Sequence, residues 1–220
     1  MPEVAQPELP NELTPRERRQ QRTQNGIIDA ARHIIREKGI EALSMRAIAE
    51  RIDYSPAGLY EYFASKEEII GAVCEQNAER FTQWLAAVDT TLPPLDYMLA
   101  LGLAYIDFAA RNPDSFLLMF TTIPLSQTNK EYPDIDDIDA VIARRDAFGI
   151  LVQGVHRCVE AGLYPTRPDF GVLEMAYASW TQVHGLAMLR VTNGDLFPFD
   201  YATVERNTLR AQGAGLAHLQ

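Results

Sequence analysis

Two helix starts eleven residues apart, at Ser44 and Ser55, confine the stretch SMRAIAERIDYSPAGLYEYF (residues 44–63) to a pair of short helices joined by a tight turn. Ser44 is a favourable N-cap, and Met45, Ile48, Ala49 and Ile52 then fall on one side of a helix reaching about Ile52. Ser55 caps a second helix whose first position is Pro56, where a missing N–H costs nothing. Leu59 and Phe63 are four apart, so both turn inward onto Ile48 and Ile52, with the small Ala49 where the helices approach. Pro56, Ala57, Gly58, Tyr60, Glu61 and Tyr62 are left facing outward, at a helix start whose backbone amides suit phosphate. By spacing alone two arrangements fit: a helix-turn-helix, and an ordinary corner between helices of an all-α core.

The rest of the chain carries the same helical signature. Apolar residues recur at spacings of three and four almost throughout, with no alternating β-branched run and no internal repeat, so the predicted fold class is all-α. Pro15 opens a helix with the stripe Ile27, Ala30, Ala31, Ile34 and Ile35, stopped by Lys38 and Gly39. Ser65-Lys66-Glu67-Glu68 reads as a capping box, the Ser65 hydroxyl accepting from the Glu68 amide and the Glu68 carboxylate accepting from the Ser65 amide. The long helix it starts carries Ile70, Val73, Asn77, Phe81, Trp84 and Val88 and stops before Pro93 and Pro94. Further helices are expected over residues 95–111, 113–120, 137–161, 169–191 and 201–213. The chain thus divides into a flexible tail (1–14), a domain holding the paired helices (15–66) and a larger helical domain (67–220).

Charge sorts the same segments. The net charge of −10 is unevenly spread: residues 16–66 hold 10 Lys/Arg against 7 Asp/Glu, whereas residues 67–220 hold 10 against 20. Only the segment with the paired helices is basic, so only it suits phosphates. The start of the chain is polar and acidic, with Pro2, Pro7 and Pro10, and resembles neither a secretory signal nor an anchor. Apolar stretches further on are interrupted by Asp96, Asp107, Glu174 and Arg190, which fits buried helices and gives no membrane partner. Cys74 and Cys158 have neither metal nor redox spacing and read as reduced, packed thiols, consistent with the cytoplasm.

From about Ile27 to Ile70 the chain resembles the TetR family. The likeness rests on Ala30-Ala31, Lys38-Gly39, Ser44-Met45-Arg46-Ala47-Ile48-Ala49, Leu59-Tyr60-Glu61-Tyr62-Phe63 and Ser65-Lys66-Glu67-Glu68, in that order and spacing. The resemblance implies a homodimer that binds double-stranded operator DNA, represses transcription and lets go when a small-molecule effector binds. DNA contacts would come from Arg46, Tyr54, Ser55, Pro56, Ala57, Gly58, Tyr60, Tyr62 and Lys66. Lys66 and Tyr62 suit phosphates, Tyr60 a phosphate or base edge, Ala57 a thymine methyl, and Arg46 a guanine or phosphate. Solvated surface or core packing remains the plain alternative for each. Arg16, Arg18, Arg19 and Arg22 fit either a minor-groove arm or a solvated face. Where the family usually has glycine in the turn this chain has Asp53, which must then tolerate a left-handed backbone.

The segment from Phe170 to Val191 is apolar nearly all round and so must be covered on more than one side. A dimer interface is expected from Tyr177, Trp180, Val183, His184, Ala187 and Val191. An apolar effector pocket is expected among Tyr97, Leu101, Tyr105, Phe108, Phe116, Met119, Phe120, Trp180 and His184, with plain core packing as the alternative. Trp180, His184 and Gly185 are also similar to a Trp-x-x-x-His-Gly C-terminal subtype of TetR-like regulators. Two rival readings stay open: a DNA-binding dimer without effector, and an all-α metal-dependent enzyme using Asp134, Asp136, Asp137 and Asp139. The second lacks another acidic motif, and no Ser/His/Asp grouping is visible, so no catalytic residue, metal or cofactor is expected.

Overall fold

The structure, a computed structural model, describes residues 14–122, 137–194 and 196–218. The described elements are α1 (Pro15–Lys38), a 3-10 turn (Ile40–Ala42), α2 (Met45–Arg51), α3 (Pro56–Leu59), α4 (Lys66–Ala86), α5 (Pro94–Arg111), α6 (Pro113–Thr121), α7 (Ile138–Ala143), α8 (Ala147–Glu160), α9 (Val172–Asn193) and α10 (Tyr201–Ala217). They form two compact units, one ending at Val73 and the other beginning at Cys74, so the division falls inside α4. Of the expected tail, residues 1–13 lie outside the described residues and Thr14 is the N-cap of α1.

In the first unit α1 is pinned at both ends. The Thr14 hydroxyl accepts from the Glu17 N–H at 3.3 Å while the Glu17 carboxylate accepts from the Thr14 N–H at 2.7 Å. Gly39, at φ 81°, turns the chain away and donates its N–H to the Ile35 carbonyl. The core is made by Ile27, Ala31 and Ile34 of α1, Leu43 at the end of the 3-10 turn, Ile48 and Ala49 of α2, and Leu59 and Phe63, all buried. Burying one such large apolar side chain is worth about 1.5–3 kcal/mol. Arg51 on α2 grips both carboxylate oxygens of Glu37 on α1, at 3.0 and 3.1 Å, a partly exposed pair that sets orientation more than stability. Arg16, Arg18, Arg19 and Arg22 lie on the exposed first turns of α1, so this run is helix surface, not an extended arm.

The second unit is built on α5 and α9, which pack against each other, with α8 and α10 each laid on both, α6 on α5 and α7 on α8. Two apolar clusters result. One joins Phe81 and Leu85 of α4 to Tyr105, Phe108 and Ala109 of α5, Phe116 of α6 and Val183 and Ala187 of α9. The other joins Val141, Val152, Val155 and Cys158 to Met175, Ala176 and Leu216. Burial pushes both thiols, Cys74 and Cys158, up to about 11, which keeps them protonated.

One expected helix is two. The segment 137–161 breaks at Arg145, whose φ of 51° leaves the helical region, and Asp146 then caps α8 by accepting from the Gly149 N–H at 2.8 Å. Gly149 has no side chain to spare: a Cβ there would lie 2.7 Å from the Val141 carbonyl oxygen, so the glycine lets α7 and α8 close on each other. Asp137 caps α7, accepting from the Ala140 N–H at 3.0 Å, and Asp139 sits in that helix's first turn. Asp134 and Asp136 lie outside the described residues. Among the described residues no group of three or more His, Cys, Asp or Glu is placed to hold a metal, and no helix is long and apolar enough to cross a membrane.

Candidate functional site

The short helices α2 and α3 start as their serines dictate. Ser44 Oγ accepts from the Ala47 N–H at 3.1 Å, and Ser55 Oγ from the Gly58 N–H at 3.0 Å. Between them Asp53 adopts φ 53°, the left-handed conformation that the turn demands and that aspartate tolerates better than most residues. The Tyr54 N–H closes the turn onto the Ala49 carbonyl at 2.9 Å. Regular helix covers only Pro56–Leu59, after which tight turns carry the chain through Tyr62 N–H to Leu59 O (2.9 Å) and Phe63 N–H to Leu59 O (3.0 Å). Leu59 and Phe63 are buried, as their spacing requires.

What this leaves exposed is an aromatic surface with few charges. Ser55, Pro56 and Ala57 are exposed, and Tyr60 is 57% exposed. Tyr54 lies over Gly58, where a Cβ would meet the ring's Cε1 at 2.7 Å, and its ring meets that of Tyr62 edge-on at 6.3 Å. Gly58 is therefore a seat for Tyr54, not the open outward position its spacing suggests. A hydrogen bond with Tyr62 holds the Tyr54 phenol above its ordinary range, so Tyr54 is a neutral donor at neutral pH. The amide-rich helix start is also reduced: Pro56 has no N–H and that of Gly58 is taken by Ser55. Arg46 is exposed and paired with Glu50 one turn on at 2.8 Å, a surface pair that contributes little to stability.

Lys66 opens α4 and is half-buried. The cap beside it is half of what its sequence suggests. Ser65 Oγ accepts from the Glu68 N–H at 3.1 Å, but the Glu68 carboxylate reaches past Ser65 to accept from the Ala64 N–H at 2.5 Å.

In the second unit, five of the expected pocket residues converge. Trp180 donates its indole N–H to the Tyr105 hydroxyl at 3.3 Å, and that hydroxyl lies 2.8 Å from His184 Nδ1. An indole only donates, so the Tyr105 oxygen accepts from it and its own O–H goes to His184, whose proton is thereby assigned to Nε2. Burial lowers the His184 pKa below its usual 6.5 and raises that of Tyr105, so the chain is uncharged. Phe120 and Phe116 flank His184 at 4.7 and 5.6 Å between ring centres. Leu101 and Phe108 are buried in the same cluster and Met119 packs against it. Tyr97 is buried in that cluster too, and its ring also lies under the Arg157 guanidinium at 4.8 Å and beside Gly154 of α8.

Two residues of this region were not expected as site residues. Phe81 packs edge-on against Tyr105 at 4.9 Å, and Asn77, one turn before it on α4, is 1% exposed with neither its Oδ1 nor its Nδ2 hydrogen-bonded. The sequence does signal Asn77, as the one polar residue in the apolar stripe of α4.

The expected dimer residues divide. Val183 and Ala187 are buried in their own unit and supply no outer face, while Trp180, His184 and Val191 are half-buried in it. Only Tyr177, 60% exposed, points out. It begins a stripe along α9 that continues through Thr181, Gly185 and Leu189, the last 58% exposed, with nothing near the Gly185 Cβ position.

Residues 27–73 match the family profile described as "Bacterial regulatory proteins, tetR family", and residues 98–211 match "Tetracyclin repressor-like, C-terminal domain". Over 60 residues the chain is 43% identical to the HTH-type transcriptional regulator UidR of Escherichia coli K12, covering 27% of this chain and 31% of UidR. The chain spans about a third of the length of that relative. A solved protein of unknown function from Rhodococcus sp. RHA1 superposes with a TM-score of 0.71 at 20% identity over 89% of this chain and 95% of that one. A bacterial regulatory protein in the tetR family from Rhodococcus RHA1 does so with a TM-score of 0.60 at 18% identity, over 88% and 96%. At these identities the structural likeness establishes a shared fold.

Proposed function

The chain belongs to the TetR family of bacterial regulatory proteins, and from that membership we propose that it is a DNA-binding transcriptional regulator, a homodimeric repressor that a small apolar effector releases from a pseudo-palindromic operator. One observation carries the DNA-binding part. The pair α2 and α3, held by two serine caps and a left-handed Asp53, presents Ser55, Pro56, Ala57 and Tyr60 on an exposed face in the basic segment of an otherwise acidic chain. With Pro56 and Ala57 at the tip, polar base readout is thin. Specificity then leans on methyl contacts, phosphates and the shape of the duplex.

Dimerisation brings two such faces to successive major grooves, about 34 Å apart for one helical turn. The uncharged α9 stripe Tyr177, Thr181, Gly185 and Leu189 suits a self-complementary contact, since a two-fold axis sets each residue against its own counterpart or a close neighbour. The effector reading rests on the aromatic cluster around Tyr105 and His184 and on α4, a single helix that runs from Lys66 into the unit holding that cluster. The Trp180–His184–Gly185 spacing favours a C-terminal domain of the Trp-x-x-x-His-Gly subtype, with Trp180 and His184 joined through Tyr105.

Selection from random double-stranded DNA tests the reading. The expected product is an inverted repeat bound less tightly as salt rises. Enrichment of no repeat, or binding that salt leaves unchanged, overturns it.

A further inference from the structure

Asn77 is an anomaly of the second unit's interior. Its amide has two N–H donors and a carbonyl with two lone pairs, and at 1% exposure it uses none of them. A buried polar group without partners costs stability, and a leucine of similar volume would fill the same position without that cost. Most buried polar groups in folded proteins are paired, so an unpaired one needs a physical reason.

Its neighbours say what kind of partner suits it. Cys74 and Phe81 lie three residues before and four after Asn77, on the same face of α4. The Cys74 thiol points at the Leu118 carbonyl of α6 at 3.8 Å. Phe81 packs against Tyr105 and Phe108 of α5, both at 4.9 Å, and Phe120 of α6 at 6.4 Å. Asn77 is thus bracketed along α4 by two residues whose side chains reach α5 and α6. None of these neighbours is charged: the thiol is protonated, and His184, reached through Phe120, is neutral and occupied by Tyr105.

We propose that Asn77 is the polar anchor of the effector site, and that the effector is a flat, uncharged, largely aromatic molecule carrying a hydrogen-bond donor and acceptor side by side, as a lactam or primary carboxamide does. Such an edge pairs with both halves of the Asn77 amide at once, while the rings of Phe81 and Phe120 take the apolar body. Arg80, three residues after Asn77, is exposed to solvent, so a carboxylate or an ammonium buried beside the amide finds no counter-charge among these neighbours and is disfavoured by the cost of burying it. The assignment rests on the sensor reading given above and specifies its ligand.

The test uses the full chain with benzamide as probe and toluene as its counterpart of similar shape without the amide. Benzamide raises the melting temperature of the wild type, the native state being favoured about 11-fold at ten times its Kd. Toluene does less, and the side-chain NH2 resonances of Asn77 move with benzamide alone. Asn77→Leu melts at least about 2 °C higher without any probe, loses the difference between benzamide and toluene, and binds the selected operator as the wild type does. If Asn77→Leu fails to fold, the wild-type NH2 resonances decide. Benzamide that leaves wild-type melting and those resonances unmoved overturns the assignment, as does equal stabilisation of wild type and Asn77→Leu. The sensor reading fails separately, if the wild type binds its operator and no compound of a broad screen alters its melting or releases the DNA.

Discussion

Gly58→Ala should separate DNA binding from folding. The new Cβ would lie 2.7 Å from Tyr54 Cε1 and 3.1 Å from both Tyr54 Cδ1 and Ser55 Oγ. A contact of 2.7 Å does not survive, and what yields is the Tyr54 ring, the end of an exposed side chain. As it swings off Gly58 it loses its edge contact with Tyr62 at 6.3 Å. Folding is barely affected. Alanine gains up to about 1 kcal/mol over glycine in a helix, and the lost aromatic pair is worth about 0.5–1.5 kcal/mol, so the melting temperature should stay within about 6 °C. DNA binding is another matter. If the Tyr54 hydroxyl gives one phosphate hydrogen bond per half-site, at about 1 kcal/mol each, two half-sites lose about 2 kcal/mol, close to 30-fold in Kd. Fluorescence anisotropy on the selected operator at fixed salt, with melting curves of the same samples, reads both quantities. Tyr54→Ala should reproduce the loss. A Gly58→Ala protein that melts and binds as the wild type does would refute the placement of Tyr54 on the DNA-facing surface.

Lys66→Ala should weaken binding to all DNA sequences alike and lower the slope of log K against log salt by about 2 for a dimer, one phosphate contact per half-site; an unchanged slope removes Lys66 from the phosphates. Tyr105→Phe strips the partner from the Trp180 N–H and from His184 Nδ1, costing about 1–3 kcal/mol, or about 2–12 °C in melting temperature, and a loss under 1 °C contradicts the hydrogen-bonded chain. His184 is held neutral in the native state with its pKa below 6.5, so between 6.5 and that lowered value the unfolded chain binds more protons than the native one. Stability from this group therefore falls as pH drops through that window and is flat above it. Denaturant titrations from pH 8 to 5 should show the fall and its reduction in His184→Gln. Leu189→Asp places like charges near the two-fold axis and should shift the protein to monomer by light scattering; an unaltered dimer moves the interface off the α9 stripe.

Much of the DNA-binding unit could be read before folding because its determinants are local. Ser44 and Ser55 cap amides three residues on, Gly39 takes a left-handed turn, and Asp53 must do the same wherever the rest of the chain goes. Cues of this kind act within one turn of backbone, and sequence spacing alone sets their geometry. Even there, spacing could not show that Tyr54 folds back over Gly58, or that Glu68 reaches Ala64 instead of Ser65, since both depend on how the chain curls between α2 and α4.

The candidate effector and dimer surfaces were less legible. Period 3.6 shows that α9 is apolar on nearly every side but not which side meets its own unit. The packing of α5 against α9 decides that, sending Val183 and Ala187 inward and leaving Tyr177 and Leu189 outside. Tyr97 and Tyr105 sit eight residues apart on one helix, and only tertiary contacts send the first to Arg157 and the second to His184. The sequence by itself determined an all-helical chain and the capped helix pair with its left-handed turn, because those follow from interactions between residues a few positions apart. Which side chains share a cluster, which face is left bare on α9, and that Asn77 is buried with no partner were decided by the tertiary structure alone. Each depends on residues dozens of positions distant that meet only when the helices pack.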